Sequence, residues 1–460
     1  MQSSSLSAAL LEALAAIFPG DALRCDEPTR LTYGYDNSRR MAPADAVVLP
    51  HQHAQVVALV QACRAHRVPV VARGRGTNTT GASVPTAGGV VVSFERMNRI
   101  LHIVPEDRIA VVEPGLLNGD LQRALAAYGF FWPPDPTSAA YCTVGGNLAC
   151  NAGGPRTVKY GATRENVLAL RAVTGSGGEL RCGTPTTKGA TGYDLVRLLI
   201  GSEGTLALIT EATLKLVPKP DAVATLRATY ADVGAAARAV ARIMAQPVTP
   251  CALEFLDDAS LALARAHRDG AAVPEAGALL LIEVDGAPET LDAAVAAVSR
   301  AARGDGLLEL RAAADAAEAE ALWAVRKALS PALRSLSPQK INEDVVVPVS
   351  RVPELVAVAK TLSVRYGLPI VCFGHAGNGN LHVNLLPRDA RELAVAEPCL
   401  AELFDAVIRL DGTLSGEHGI GLAKRDFMAR ALDPGALALM HGIKAAFDPD
   451  GILNPGKLLP

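Results

Sequence analysis

The sequence predicts an α+β protein with two domains and a C-terminal segment. Its 460 residues exceed the length that one hydrophobic core usually supports. Half of the residues are hydrophobic and 20% are charged, so core material is ample. Short β-branched runs alternate with helical patterns along most of the chain, and a proline-marked break falls near residue 220.

The first strands and helix are predicted between residues 46 and 104. The runs "AVVLP" (46–50), "VPVVARG" (68–74) and "GGVVVSFERM" (88–97) read as strands. Apolar residues at helical spacing over residues 54–67 read as a helix. The pattern predicts a sheet that is covered on one side.

Residues 105–218 have a different pattern. Clusters of Gly, Thr and Asn separate the apolar runs "RIAVVEPG", "LALRAVTG" and "TLALITEATLKLV". These features predict a loop-rich α+β segment that continues the first domain.

Pro218 and Pro220 mark the predicted domain boundary, because proline removes a backbone donor and restricts the residue before it. Beyond it, three helical patterns alternate with the strand-like runs "ALEFLD", "ALLLIEVDG" and "INEDVVVP". We expect a ferredoxin-like α+β domain there. The predicted domains are 1–220, 221–415 and a segment 416–460 that is partly helical and returns to the first domain.

Composition excludes several classes of protein. A net charge of −3 gives no signal for nucleic acid or an anionic membrane. The eight cysteines lack metal or disulfide spacing and are predicted to be reduced core residues. The N-terminus resembles an amphipathic helix rather than a signal peptide, and no apolar run is long enough to span a bilayer. We expect a cytoplasmic protein, with peripheral association with the inner membrane as the alternative.

A glycine-rich stretch, "VARGRGTNTTGASVP" (71–85), follows a predicted strand. Gly74, Gly76 and Gly81 would let backbone N–H groups approach a pyrophosphate. The spacing matches neither the Rossmann fingerprint nor the Walker loop. A plain connecting loop is the alternative interpretation of this stretch.

Two further stretches favour a ligand. One is "PTSAAYCTVGGNLACNAGG" (136–154), which carries no charge but many polar groups. In a conventional hydrophobic core these groups would lack hydrogen-bond partners. Residues 192–210 add Gly201, Gly204 and Ile209. Together these loops indicate a large neutral ligand with many hydrogen-bond acceptors.

A histidine and glutamate cluster is predicted near the C-terminus. His375 and His382 flank "AGNGNL", and Glu417 precedes His418. If "NLHVN" is a strand, His382 and Asn384 share one face, and a glycine turn returns His375 beside His382. Two imidazoles and a carboxylate suit Zn²⁺, Mn²⁺ or Fe²⁺. A structural histidine pair is the alternative.

The glycine loops resemble the flavin-binding domain of the vanillyl-alcohol-oxidase/PCMH family. "RGRGTNTTGASVP" is similar to its pyrophosphate loop, and "TVGGNLACNAGGPRTVKYGATRENVLAL" and "GSEGTLALITEATLKLVPKP" are similar to its next two motifs. The C-terminal "GEHGIGLAKRDFM" and "DPDGILNPGKLLP" resemble the branch with D-lactate dehydrogenase, D-2-hydroxyglutarate dehydrogenase and the glycolate oxidase flavoprotein subunit.

This resemblance implies a PCMH-type, two-part FAD-binding domain joined to a substrate, or cap, domain. The FAD is expected to be noncovalent, because the pyrophosphate loop has no His. Asn78 and Ala82 depart from the glycines common in the family. The implied cofactor contacts are Arg73, Gly74, Arg75, Gly76, Thr77, Asn78, Gly81, Pro136, Thr137, Gly145, Gly146, Asn147, Asn151, Gly204, Ile209 and Asn454.

The resemblance also implies how a substrate is held and oxidised. A divalent metal, Zn or Mn, would bind the substrate hydroxyl, and His418 would accept its proton while C2 delivers hydride to flavin N5. The implied metal ligands are His375, His382 and Glu417. The implied substrate contacts are Arg326, Ser330, Lys340, Asn384 and His418.

Arg326 and Ser330 lie one helical turn apart, and an arginine can bind a carboxylate through two hydrogen bonds. A solvated helix surface is the alternative for Arg326 and Lys340.

The expected activity is therefore oxidation of a D-2-hydroxy acid, D-lactate or D-2-hydroxyglutarate. Electrons would pass to a quinone, an electron-transfer flavoprotein or a cytochrome, and a homodimer is possible. A glycolate oxidase flavoprotein subunit is the alternative within the family. A flavin-free metal hydrolase and a noncatalytic binding module are the alternatives outside it.

Overall fold

A computed structural model describes residues 6–267 and 273–460 of the chain. These residues form two compact units. Of the described residues, unit 1 comprises 6–153, 161–219 and 417–460, and unit 2 comprises 154–160, 220–267 and 273–416. Residues 154–160 thus cluster with unit 2, which a single boundary near residue 220 does not anticipate.

Within the described residues, eighteen strands and fifteen α-helices are numbered in chain order. The strands are β1 (Leu23–Arg24), β2 (Ala46–Val48), β3 (Val70–Arg73), β4 (Val90–Ser93), β5 (Ile100–Val104), β6 (Ile109–Val112), β7 (Phe130–Phe131), β8 (Val167–Thr174), β9 (Glu179–Gly183), β10 (Ala207–Lys215), β11 (Val217–Pro218), β12 (Ala222–Tyr230), β13 (Ala252–Asp257), β14 (Ala278–Gly286), β15 (Leu307–Ala312), β16 (Ile341–Val346), β17 (Ile370–His375) and β18 (Asn380–Leu385). The helices are α1 (Ala8–Ile17), α2 (Glu27–Thr32), α3 (His53–Ala65), α4 (Asn118–Ala126), α5 (Val144–Cys150), α6 (Thr157–Tyr160), α7 (Leu195–Leu199), α8 (Val233–Ala245), α9 (Asp258–His267), α10 (Pro288–Ala302), α11 (Ala316–Leu336), α12 (Val352–Tyr366), α13 (Ala390–Arg409), α14 (Met428–Ala431) and α15 (Pro434–Phe447).

Unit 1 contains two main sheets. The first has the order β1-β2-β4-β3, with β4 parallel to both of its neighbours. The second is antiparallel, with the order β5-β6-β10-β8-β9, and β7 pairs separately with β11. The two sheets support separate apolar clusters, one around Leu10, Leu59 and Val92 and one around Leu121 and Trp132.

The C-terminal segment packs into unit 1. Leu453 forms a parallel bridge with Val70 on β3, and the Val70 N–H donates to the Ile452 carbonyl at 2.8 Å. The Asn454 N–H donates back to the Val70 carbonyl at 2.9 Å. The last residues of the chain therefore extend the edge of the first sheet.

Unit 2 is built on one antiparallel sheet of seven strands, in the order β15-β12-β14-β13-β17-β18-β16. The four strands β12 to β15, in the order 4-1-3-2 with α8 and α10 as crossovers, match the ferredoxin-like topology. The prediction of a ferredoxin-like domain is therefore confirmed. Strands β16, β17 and β18 extend that sheet by three.

The cysteines agree only in part with the prediction that they are reduced core residues. All eight are free, but Cys25 is exposed beside the two-residue edge strand β1, so its assignment to the core was wrong. In the described part of the chain, no helix combines the length and the apolar character that crossing a bilayer requires.

A tight turn joins β17 to β18. Gly379 has φ +70°, and a Cβ there would lie 1.9 Å from the Val347 carbonyl oxygen. The Gly379 carbonyl accepts the Val347 N–H at 3.1 Å, so the turn is also held from outside. Both the backbone conformation and the close approach of Val347 require glycine at this position.

We expect Gly379→Ala to destabilise unit 2 more than Gly367→Ala does. Gly367 also has positive φ, +62°, but nothing lies within 4 Å of its missing Cβ. Left-handed strain alone costs roughly 1–2 kcal/mol, or roughly 2–8 °C in thermal midpoint for a unit of this size. Thermal melts of both variants test this, and equal shifts would contradict the role of the Val347 contact.

Candidate functional site

One face of the unit 2 sheet carries a row of polar side chains. Residues directly opposite one another on paired strands share a face, and so do residues two apart on one strand. His375 lies opposite Glu254, Phe373 opposite His382, and His382 opposite Asp344. Asn384 follows His382 by two residues, so all of these side chains share one face.

His375 and His382 are brought together as the sequence predicted. Strand β17 ends at His375, a 3-10 turn covers residues 376–378, and β18 begins at Asn380. The two imidazole rings are 5.2 Å apart at 83°, and a nitrogen of each lies within 4.8 Å of the other. Both side chains are buried.

Glu254 connects His375 to Arg326. One of its carboxylate oxygens accepts from His375 Nδ1 at 2.5 Å, and the other accepts from Arg326 Nε at 2.7 Å. Burial is the largest influence and by itself raises the pKa of Glu254, but His375 and Arg326 outweigh it and lower this pKa to about 2. Glu254 is therefore ionised, and His375 must carry its proton on Nδ1.

Arg326 lies on α11 and is buried against the sheet. Its guanidinium packs over the Phe373 ring at 4.7 Å from the centroid. Among the described residues, none accepts a hydrogen bond from its two terminal nitrogens. Ser330 lies on the same helix, and its side chain is outside the described residues. Lys340 is half-buried just before β16.

Asn384 is fully buried and only partly satisfied. Its Nδ2 donates to the His382 carbonyl at 3.0 Å. Its Oδ1 has no partner among the described residues, and neither has Oδ1 of Asn342, which lies opposite it on β16. Because an unsatisfied buried acceptor is costly, these oxygens are suited to a ligand with donor groups.

Asp344 fixes the chain segment that leads to Glu417. It is fully buried and accepts from Ser415 Oγ at 3.1 Å and from the Gly416 N–H at 2.9 Å. A Cβ on Gly416 would lie 2.7 Å from the Asn380 amide nitrogen on β18. Gly416 is the last residue of unit 2, so Glu417 follows it directly along the chain.

His418 belongs to unit 1, where its backbone is held from two sides. Asn78 Nδ2 donates to the His418 carbonyl at 3.0 Å. Two residues further on, the N–H groups of Ile420 and Gly421 donate to Glu203 at 2.6 and 2.8 Å. The His418 side chain stays partly accessible, with Nε2 at 3.9 Å from a Glu417 carboxylate oxygen.

Unit 1 contains a cleft of about 500 Å³. The predicted cofactor contacts that line it are Arg73, Gly74, Gly145, Gly146, Gly204 and Ile209. Phe94, Pro114, Thr143 and Leu208 complete much of the wall. A Cβ on Gly146 would meet only Thr143 Oγ1, at 3.3 Å, so the missing side chain leaves room in the cleft.

The remaining predicted cofactor residues lie outside this lining. Asn151 caps α5 with φ +52° and accepts from the Arg164 N–H, and Asn454 Nδ2 donates to the carbonyls of Ala82 and Glu203. Arg75 is half exposed, 3.6 Å from Glu95. Gly76 and Gly81 have positive φ, as a turning loop requires. Thr77, Asn78, Pro136, Thr137 and Asn147 complete this group.

Three carboxylates in or beside these sites were missed from sequence, namely Glu254, Asp344 and Glu203. Each is at most 4% exposed. Glu254 stands inside the apolar run "ALEFLD" and Glu203 stands inside "GSEGTL". For Glu254, an acidic residue inside an apolar strand was the available signal, because a buried charge requires partners. Glu203 lies in a turn and Asp344 follows Glu343, so neither carries that signal.

We predict a pH-dependent contribution to stability from Glu203. Burial is the main cause that raises its pKa from 4.5 to about 7, against the lowering effect of its two backbone donors and of Lys424 and Lys457. Between those values the folded chain holds a proton that the unfolded chain has released. Stability should therefore fall as pH rises from about 5 to 7, by up to about 3 kcal/mol.

Glu203→Gln removes that titration. Thermal melts at pH 5 and pH 8 should show a larger decrease for the wild type than for the variant, by roughly 5 °C. If the thermal midpoints of both proteins fell by the same amount between pH 5 and pH 8, the pKa of Glu203 would not be raised.

Two family descriptions match the chain. Residues 44–183 match a family described as "FAD binding domain", and residues 219–458 match "FAD linked oxidases, C-terminal domain". The second match alone covers more than half of the chain.

Curated relatives cover nearly the whole chain. Glycolate oxidase subunit GlcD of Bacillus subtilis (strain 168) is 40% identical over 432 residues, which is 93% of this chain and 92% of GlcD. D-lactate dehydrogenase of Anaerostipes hadrus is 35% identical, covering 88% of this chain and 87% of that protein. D-2-hydroxyglutarate dehydrogenase of Stutzerimonas stutzeri (strain A1501) is 34% identical, covering 98% of each.

Solved structures have the same fold at lower identity. p-Cresol methylhydroxylase is 18% identical with a TM-score of 0.81, covering 98% of this chain and 97% of that one. Alkyldihydroxyacetonephosphate synthase is 22% identical with a TM-score of 0.79, covering 100% and 87%. The predicted PCMH-type fold is therefore confirmed. The chain belongs to the FAD-linked oxidases, as an FAD-linked oxidoreductase of the branch that contains GlcD, D-lactate dehydrogenase and D-2-hydroxyglutarate dehydrogenase.

Proposed function

We propose that this flavoprotein oxidises a D-2-hydroxy acid, D-lactate or D-2-hydroxyglutarate, with the help of a divalent metal. The observation that carries the proposal is the pairing of His375 with His382 on the sheet face that also holds Arg326 through Glu254. That face therefore combines two histidines that could bind a metal ion with an arginine that could bind a carboxylate. A 2-hydroxy acid offers the complementary hydroxyl and carboxylate.

The residues of unit 1 fit a flavin. Glycines line the cleft, and Gly146 and Gly204 leave space where a side chain would stand. Thr79 Oγ1 is buried without a partner among the described residues, as is Asn454 Oδ1. A buried hydroxyl, a buried amide oxygen and a wall of glycines whose N–H groups a ligand can approach suit a dinucleotide.

The residues of unit 2 fit a divalent ion. With Nδ1 of His375 donating to Glu254, its Nε2 would be the atom that binds the metal. His382 supplies a second imidazole, and we assign Glu417 as the third ligand because Asp344 fixes the residue before it. This donor set, with positions left open, suits Zn²⁺ or Mn²⁺.

We assign the substrate contacts to Arg326, Ser330, Lys340 and Asn384. Arg326 would bind the carboxylate through its terminal nitrogens, since Nε is already engaged. Asn384 Oδ1 would accept from a donor on the substrate.

We assign His418 as the base. Its partly accessible imidazole would accept the proton of the substrate hydroxyl. When bound, FAD supplies the two-electron acceptor and the metal supplies the Lewis acid that acidifies this hydroxyl. The substrate thus loses a proton from oxygen and a hydride from C2. A quinone, an electron-transfer flavoprotein or a cytochrome would then take the electrons.

A glycolate oxidase flavoprotein subunit is the second candidate, and the similarity to GlcD favours it. Under this alternative the chain would require partner subunits for full turnover. An inactive purified chain that becomes active with co-expressed partners would support it.

Gly146→Val should lower the flavin content of the purified protein. The valine side chain would enter the cleft, because only Thr143 Oγ1 lies near the position of its Cβ. We expect less than half of the wild-type ratio of flavin to protein, measured from absorbance near 450 nm. Gly442→Val is the matched control, since Gly442 also lies in a helix of unit 1 and has nothing within 4 Å. Equal losses in both variants would contradict the assignment of the cleft.

A substrate panel with a dye acceptor tests the proposed activity. D-lactate, D-2-hydroxyglutarate and glycolate are each assayed before and after chelation, and then with added Zn²⁺ or Mn²⁺. We expect chelation to abolish turnover and one of the ions to restore it. Full activity after complete metal removal would refute the metal's role.

The base is tested in the same assay. His418→Ala should lower kcat by at least about 100-fold, as loss of a general base usually does. His441→Ala changes an exposed histidine of the same unit and should leave kcat unchanged. Near-normal turnover of His418→Ala would exclude His418 as the base.

A further inference from the structure

We propose that Glu254 is a positioning residue that fixes the metal ligand His375 and the substrate cation Arg326 at the same time. The inference rests on the proposed function and adds a residue to it. Glu254 lies on β13, and its side chain is completely buried. Its two carboxylate oxygens are divided between the two partners, one each.

The first consequence concerns His375. A carboxylate that accepts from Nδ1 holds the imidazole in the tautomer whose Nε2 carries the lone pair. It also makes that nitrogen a better electron donor and fixes the plane of the ring. His375 lies directly opposite Glu254 in the β13–β17 pairing, so the contact is set by strand register rather than by a flexible loop.

The second consequence concerns Arg326. Glu254 bonds only to Nε of Arg326, and the guanidinium packs over the face of the Phe373 ring. The two terminal nitrogens, which bond none of the described residues, are the pair that binds a carboxylate in parallel. Glu254 therefore orients the arginine without occupying its binding edge.

A purely stabilising role explains this arrangement poorly. Burying a carboxylate against a guanidinium and an imidazole usually gains little over an apolar residue of similar size. Here the buried Glu254 carboxylate holds His375 and Arg326 at a fixed spacing. Simultaneous binding of a metal and a carboxylate requires such a spacing. Removing the charge should therefore impair both kinds of binding, beyond any change in stability.

Glu283 provides a matched control on the same sheet face. It lies on β14, is buried, and accepts from Thr225 Oγ1 at 2.9 Å and from Trp323 Nε1 at 2.5 Å. Trp323 belongs to α11, the helix that also carries Arg326. Glu283→Gln thus perturbs a buried glutamate that holds the same helix, but that bonds neither His375 nor Arg326 in the described structure.

The experiment compares Glu254→Gln, Glu254→Asp and Glu283→Gln as flavin-loaded full-length proteins. Zn²⁺ affinity is measured on chelator-treated protein by competition with a chromophoric chelator, KM is measured at saturating Zn²⁺, and thermal midpoints are recorded. We expect Glu254→Gln to weaken Zn²⁺ binding 10- to 100-fold and to raise KM about tenfold. Glu254→Asp should restore part of both, because it keeps the charge. Glu283→Gln should change both by less than about twofold.

The outcomes separate this proposal from the one on which it rests. Wild-type protein that binds Zn²⁺ while Glu254→Gln matches it in affinity and KM would overturn the positioning role and leave the metal site standing. Losses in Glu254→Gln that merely follow its thermal midpoint, as in Glu283→Gln, would also overturn it. Wild-type protein that binds neither Zn²⁺ nor Mn²⁺ would instead overturn the metal site, and the positioning role with it.

Discussion

The candidate substrate site depends on the register of one antiparallel sheet. Alternation of side chains along a strand and direct pairing between strands put Glu254, His375, His382 and Asn384 on one face. A shift of one residue between β13 and β17 would turn His375 to the opposite face and separate it from Glu254. The buried apolar residues on both faces of these strands hold that register, so the chemistry of the site follows from the packing of unit 2.

Much of this arrangement could be predicted from the sequence because the signals are local. The runs "ALEFLD" and "ALLLIEVDG" coincide with β13 and β14, and β18 contains "NLHVN", the stretch for which a strand placed His382 and Asn384 on one face. The pair of glycines in "AGNGN" indicated the turn that returns His375 to His382. These features depend on residues within about ten positions of each other, where propensity and periodicity are informative.

The rest depends on contacts between residues far apart in the chain. Glu254 and His375 are separated by 121 positions, and Glu203 and Ile420 by 217. No local pattern shows which distant donor a buried carboxylate will meet. The same limit applies to residues 154–160, which cluster with unit 2 because buried Asp285 bonds to Lys159 and Tyr160. The loops rich in glycine and asparagine were also ambiguous, since Asn151 and Asn454 use their amides to hold the protein's own backbone.

Glu417 and His418, the proposed metal ligand and base outside the sheet, must be positioned by something other than strand pairing. Strands fix His375 and His382, but Glu417 and His418 lie in an irregular segment, which regular hydrogen bonding does not order. Asp344 holds that segment at Ser415 and Gly416, just before the pair, and Glu203 holds it at Ile420 and Gly421, just after. Only Gly419 separates His418 from the second anchor, and Asn78 binds the His418 carbonyl itself. A base must be held within a fraction of an ångström of its working position, and a loop pinned on both sides by buried carboxylates can approach that precision. The buried carboxylates of Asp344 and Glu203 therefore fix the backbone on either side of the partly accessible pair Glu417 and His418.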